Sequence, residues 1–213
     1  MSEKAFEEPR VHPELLTKGD LVKLVEEEDY ITQQIFDGDF LEGVEKVRIH
    51  FDGCLFRNVI FSDCHFPHLD FLDCIFDHCD LSNIECSEGS IHRCRFEQCR
   101  MTGSDISANV IHNTAFIKNT GKYINFSFTK FKQVTMEDND FTSGGFNGCE
   151  FKKIIFTDCK LDQCEFVNAV LDGVNWKTCS IDEIMITIEN LRGLTVSSEQ
   201  AANIAQLFGL TIE

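Results

Sequence analysis

The sequence predicts an all-β fold, a four-sided parallel solenoid whose chain turns a corner every five residues. Two observations predict it. Stepping by five from Phe36 to Leu191 meets an apolar residue at every position except Lys46 and Gly121, and 16 of the 20 Phe lie on this one series. A second series, two residues earlier, carries small or medium residues, and ten of the 11 Cys fall on it; the eleventh, Cys86, is on the large series. A period of five fits neither a helix nor an unbroken strand. It fits short extended sides that point positions i−2 and i inward and then bend. Four sides close a coil of 20 residues, and only stacked coils bury a continuous core. Residues 20 apart then stack, giving the ladder Phe36, Phe56, Phe76, Phe96, Phe116, Met136, Phe156, Trp176 and the ladder Phe51, Phe71, Ile91, Ile111, Phe131, Phe151, Leu171, Leu191. About eight coils at ~4.8 Å make a rod of roughly 38 Å.

The elements follow in chain order. Residues 1–33 are acidic and form an N-terminal cap segment; Leu21, Leu24 and Val25 behind Asp20 as N-cap predict a short helix that lids the first coil. Residues 34–193 are the repeat array. Lys46 marks an irregular first coil, where leucine is expected to be neutral or stabilising. Gly121 interrupts the large series without shifting it, which reads as a local bulge or as a close approach by a partner, with Tyr123 and Phe128 covering the gap. Residues 194–213 form a C-terminal module: Ser197 and Gln200 make a capping-box pair, Ala201, Ile204, Ala205 and Phe208 share a helix face, and Gly209 sits at the stop. Leu210-Thr211-Ile212 reads as a terminal strand. A solenoid must blunt its ends, and the apolar residues Met185, Ile188, Ala201, Ile204, Phe208, Leu210 and Ile212 are expected to do so by joining a second copy in a homodimer.

Composition narrows the function. No apolar run is long enough for a membrane span, and the opening residues Met1-Ser2-Glu3-Lys4-Ala5-Phe6-Glu7-Glu8 lack a signal core, so a cytoplasmic protein is expected. Cys54, Cys74 and Cys94 would suggest a metal or disulfide framework by count alone. In this register they are small core residues, and the outward histidines at positions 50, 65, 68, 78, 92 and 112 do not converge on them. No catalytic, cofactor-binding or metal-binding constellation is found, which points away from an enzyme. With 36 acidic against 19 basic residues and a net charge of −17, the chain should repel nucleic acid and anionic membrane and seek basic surfaces. Sorted by face, the acids concentrate on two neighbours. The Phe66 face carries Glu85, Glu88, Asp105 and Glu165 and no Lys or Arg. The Phe61 face carries Asp63, Asp80, Asp140, Asp162, Asp182 and Glu183 against Arg100, Lys122 and Lys160. The Phe51 face, through Leu171, is balanced at five against five, and the Phe56 face nearly so at five against four. The expected partner site is Asp63, Asp80, Glu85, Glu88, Asp105, Asp140, Asp162 and Glu165. Such a rod could imitate a nucleic acid duplex, or the acidity could serve only to keep a binding module soluble.

The units Cys74-Ile75-Phe76-Asp77-His78, Cys94-Arg95-Phe96-Glu97-Gln98 and Cys164-Glu165-Phe166-Val167-Asn168 resemble the pentapeptide repeat family. That resemblance implies a right-handed quadrilateral β-helix. The tail, Gly193-Leu194-Thr195-Val196 through Glu199-Gln200-Ala201 to Gly209-Leu210-Thr211-Ile212, is similar to the C-terminal dimer module of Gram-positive Qnr-like proteins. Members of the Qnr and MfpA subgroup are dimeric rods that mimic DNA, bind type II topoisomerases and protect gyrase from quinolones. The resemblance therefore implies DNA gyrase, and with it topoisomerase IV, as partners. Many Gram-negative Qnr proteins carry loops that contribute to protection; this register leaves no room for long insertions, which groups the chain with the loop-free members. The alternative is a repeat scaffold for another protein.

Overall fold

The computed structural model describes residues 6–212; positions 1–5 of the N-terminal cap and position 213 of the C-terminal module lie outside the described residues. The chain winds into a parallel β-solenoid of about seven turns. Strands stack in register at a spacing of twenty, as in Phe56↔Phe76, Phe96↔Phe116 and Phe131↔Phe151. The turns number about seven rather than eight because the chain leaves the register at its end, where a 3₁₀ helix, Ile188–Leu191, replaces a side. No helix among the described residues is long and apolar enough to cross a membrane.

Each corner has one backbone solution. Every fifth residue from Gln33 to Gly173 has positive φ, and none of these residues is β-branched. The left-handed region is closed to Val, Ile and Thr by the clash of a branched Cβ with the backbone. The run lapses at Thr178 and resumes at Glu183. On the Phe61 and Phe66 faces the corner is a hydrogen-bonded turn, for example the Gly144 amide to the Phe141 carbonyl at 2.8 Å. The left-handed residue is third in that turn, which is the type II pattern.

The core is the predicted pair of series. Phe56, Phe76 and Phe96 stack nearly parallel, with centroids 4.6 and 4.5 Å apart. The small series is more than filler. Cys74 Sγ donates to the Phe51 carbonyl (3.4 Å), Ser104 Oγ to Leu81 (2.6 Å), Thr114 Oγ1 to Ile91 (3.4 Å) and Asn119 Nδ2 to Phe96 (3.0 Å), each across 23 residues. These carbonyls belong to the large series of the preceding coil, and each accepts a small side-chain donor that ties one coil to the next. Cys, Ser, Thr and Asn interchange here because all supply a donor of suitable size. All eleven thiols are free and buried. Burial pushes the Cys86 and Cys149 thiols up to about 12, far from the reactive thiolate range.

Gly121 makes neither a bulge nor a bend. Its amide donates to the Asp140 carbonyl at 2.8 Å like its neighbours. A Cβ there would lie 3.0 Å from Phe141 Cδ1, so the phenyl ring of the next coil occupies the space. Tyr123 and Phe128 do not cover it; they point outward, 67% and 68% exposed.

Both ends are blunted within the chain. Thr17-Lys18 pairs with Gln34-Ile35 at the edge of the first coil. Helix α1, Leu21–Glu27, is capped by the Asp20 carboxylate and buries Leu21 and Val25 on the core. Lys46, the polar exception in the large series, reaches this helix. Its Nζ donates to the carbonyls of Val25 (2.7 Å) and Glu28 (2.8 Å) and pairs with Asp29 at 3.0 Å. The expectation for leucine at this position is therefore reversed. Lys46→Leu leaves two carbonyls at the helix end without their charged donor and should lower stability by about 1–3 kcal/mol; a urea melt as stable as wild type would refute this role. Helix α2, Ser198–Leu207, closes the other end with the capping box of Ser197 and Gln200. Gly209 and Leu210 donate to the carbonyls of Gln206 and Ala205, a Schellman stop, and Leu210-Thr211-Ile212 is not a strand.

Candidate functional site

The register sorts the acidic residues into columns, and the columns differ in how far their charge is neutralised. On the Phe61 face the acids have bases beside them. Asp80 pairs with Arg100 at 3.4 Å. Asp140 lies between Lys122 (3.8 Å) and Lys160 (3.9 Å) and accepts the Thr142 hydroxyl at 2.6 Å. Partial burial pushes the Asp140 carboxyl up, but the Thr142 bonds and the two lysines outweigh it and hold it below the ordinary range. Asp162 accepts the Ser180 hydroxyl and the Asp182 amide, each at 2.8 Å. Asp63 sits on a left-handed corner.

The Phe66 face is different. His65, Glu85, Asp105 and Asn125 follow one another in a single column, with about 4.8 Å between neighbours. Glu85 meets the His65 imidazole, and Glu88 has His68 at 3.9 Å. Asp105 accepts from Asn125 Nδ2 (3.2 Å) and the Ser107 amide (2.9 Å). Glu165, three coils further along the column, accepts from Asn147 Nδ2 at 2.7 Å. The partners are side-chain amides, a backbone amide and imidazoles, with no Lys or Arg among them. Of the eight expected residues, the structure brings Glu85, Glu88 and Asp105 together. It leaves Glu165 at a distance and gives Asp80 and Asp140 basic neighbours.

The C-terminal residues also divide. Ile204 is 6% exposed and packs on its own core, and Gln200 Nε2 donates to the carbonyls of Trp176 (2.8 Å) and Cys179 (2.7 Å). Helix α2 thus caps its own rod, and Ile204 is withdrawn from the surface expected to meet a second copy. Beside it lies an apolar groove of about 370 Å³ lined by Ile188, Leu194, Ala201, Phe208 and Leu210 among others. Met185 and Ile212 are exposed at the same end. Among the described residues no group of His, Cys, Asp or Glu is arranged to hold a metal ion.

Residues 69–141 match the family model of a pentapeptide repeat region, and residues 47–83 match that of pentapeptide repeats in eight copies. The chain is 28% identical over 133 residues to the uncharacterized protein YisX of Bacillus subtilis (strain 168), covering 62% of each chain. It is 29% identical over 79 residues to the uncharacterized protein YjcF of Escherichia coli (strain K12), covering 36% of this chain and 18% of that protein. The matched stretch therefore spans less than two thirds of either relative. Among solved structures, trypsin-treated QnrB1, a plasmid-mediated fluoroquinolone resistance protein, aligns at 17% identity over 86% of this chain and 91% of its own, with a TM-score of 0.35. HetL, a pentapeptide repeat protein involved in heterocyst differentiation regulation from Nostoc sp. strain PCC 7120, aligns at 6% identity over 84% and 94%, with a TM-score of 0.33. The five-residue register, the four-sided coil and the two matching models agree that residues 47–141 of the chain are a pentapeptide repeat region.

Proposed function

We propose that this chain is a non-enzymatic topoisomerase-binding rod. Its Phe66 face enters the basic DNA-binding cleft of a type II topoisomerase, DNA gyrase first and topoisomerase IV second, and so protects the enzyme from quinolones. The observation that carries this reading is the column Glu85–Asp105 with Glu88 beside it, on a face whose only Lys and Arg among the described residues, Lys46 and Arg48, lie in the first coil. Cross-strand like charges destabilise a sheet, and here only the imidazoles of His65 and His68 stand beside them, with no Lys or Arg; a basic partner would relieve them. The tail that resembles a Qnr-like dimer module supports the same reading. Joining two rods through Met185, Ile188, Ala201, Phe208, Leu210 and Ile212 would double the length of the acidic surface. Charge alone falls short of a duplex, which carries about one charge per 1.7 Å of axis. Shape and steering must therefore contribute.

The test is a gyrase supercoiling assay with ciprofloxacin, titrating the purified protein. Wild type should restore supercoiling. Reversing Glu85, Glu88, Asp105 and Glu165 to Lys should raise the concentration required by roughly tenfold or more. Equal reversal at Asp80 and Asp140, already neutralised by their neighbours, should have a smaller effect. Undiminished rescue by the fourfold reversal would show that another face docks. The pairing on the Phe61 face favours a second reading, a scaffold for a different protein. A wild-type rod without effect on gyrase at any concentration would favour it.

A further inference from the structure

The Phe51 face holds equal numbers of acids and bases, and its four lysines, Lys130, Lys132, Lys152 and Lys153, gather in the C-terminal half of the rod beside Glu150 and Asp172. Asp52, Asp70 and Asp73 lie towards the N-terminal end, and Asp73 is occupied by the Arg93 guanidinium in two bonds of 2.8 Å and by the Arg10 amide at 2.9 Å. Beyond them one outward column reads His92, His112, Lys132, Lys152 in direct strand register. The two imidazoles stack with centroids 4.8 Å apart, and His112 Nε2 meets Gln133 Oε1 at 3.1 Å. Lys132 and Lys152 are exposed, as is Lys153 at the adjoining corner.

In an acid-rich chain these three lysines make no ion pair among the described residues. Glu150, the acid of the same strand, is engaged by Lys130 at 3.8 Å. Asp172, the next residue of the column, leans towards Gly193. Arg57, Arg93, Arg100 and Lys160, by contrast, each sit beside an acid. A lysine directly opposite a lysine destabilises the ladder, and the neighbouring acids Glu150 and Asp172 form no ion pair with either one among the described residues.

We propose that the in-register Lys132–Lys152 pair, flanked by Lys153 and His112, is a docking surface for an acidic peptide segment of a partner protein. Charge complementarity selects the sign, and two features select a peptide over nucleic acid. A net charge of −17 opposes a polymer as densely anionic as DNA but not a segment with a few carboxylates. The face also offers no free aromatic platform for bases, since Tyr30 is stacked on His50 and the other two imidazoles on each other. This surface lies on a different face from the acidic column and does not depend on the topoisomerase reading.

The test is fluorescence anisotropy at low salt with a labelled poly-glutamate peptide and, in parallel, a single-stranded oligonucleotide of equal charge. Wild type should bind the peptide in preference, and added salt should weaken binding. The double variant Lys132→Glu with Lys152→Glu should weaken it by roughly tenfold. The control double variant Lys118→Glu with Lys177→Glu, with the same change in net charge on the Phe56 face, should leave it unchanged. Lys132→Glu alone replaces the like-charge pair by Glu opposite Lys152, with His112 on its other side. It should keep or raise the melting temperature while binding falls, which separates loss of docking from loss of fold. No peptide binding by wild type, tighter oligonucleotide binding, or equal weakening by the control would each overturn the proposal.

Discussion

Phe76→Asp should abolish the cooperative fold. Phe76 is fully buried, stacked on Phe56 at 4.6 Å and on Phe96 at 4.5 Å, with Phe71 edge-on at 4.8 Å. Removing a buried Phe side chain costs about 3–5 kcal/mol. Placing an unpaired carboxylate in the vacated space adds several more, against a whole-domain stability of about 5–15 kcal/mol. The solenoid compounds the loss, because each coil is held only by its two neighbours, and a defect in the middle uncouples the two halves. Phe76→Leu, which keeps the site apolar, should fold and lose only about 1–3 kcal/mol. Circular dichroism melts of the two variants decide it. A wild-type-like transition for Phe76→Asp would mean that the ladder is not the core.

The ladder was legible because the inward position must be apolar in nearly every coil, so the sequence repeats the constraint from Phe36 to Leu191. The corner was not, although its trace is present. Asn58, Glu88, Ala108, Lys118 and Phe128 share no chemistry, and what unites them is the absence of β-branching at a residue with positive φ. An exclusion shows only over many repeats. Lys46 read as a flaw because its partners, the carbonyls of Val25 and Glu28, come from a helix whose docking no local pattern encodes. Gly121 read as a break because its compensation, the Phe141 ring, belongs to the next coil. The acidic faces were legible from the register, but totals per face concealed the order within each column. Asp80 beside Arg100 and Asp140 beside Lys160 cancel across one coil, whereas Glu85 beside Asp105 and Lys132 beside Lys152 do not. Twenty residues of separation, not membership of a face, sets which charges meet.

The small series supplies the sharper test, because there hydrophobicity and hydrogen bonding predict opposite results. Asn139 is 1% exposed in a series otherwise rich in Cys, Val and Ile. Read as an apolar position, Asn139→Leu should stabilise, since burying a leucine side chain is worth about 1.5–3 kcal/mol. The bonds say otherwise. Asn139 Nδ2 donates to the Phe116 carbonyl at 2.8 Å, and its Oδ1 accepts both the Asn119 amide and Asn119 Nδ2 at 2.9 Å. Leucine removes three buried hydrogen bonds, at about 0.5–1.5 kcal/mol each, and leaves the Asn119 amide without its acceptor, at about 1–3 kcal/mol more, while its added branch must fit a space shaped for a planar amide. The losses exceed the gain, and Asn139→Leu should destabilise by about 2–4 kcal/mol. Cys99→Ser, by contrast, keeps a donor aimed at the Phe76 carbonyl, which the thiol now reaches at 3.6 Å, and should cost less than about 1.5 kcal/mol. Urea melts of both variants measure the difference directly. If Asn139→Leu matched or exceeded wild type while Cys99→Ser collapsed, the position would be governed by apolar fill, and the shared donor role of its Cys, Ser, Thr and Asn would be incidental to the fold.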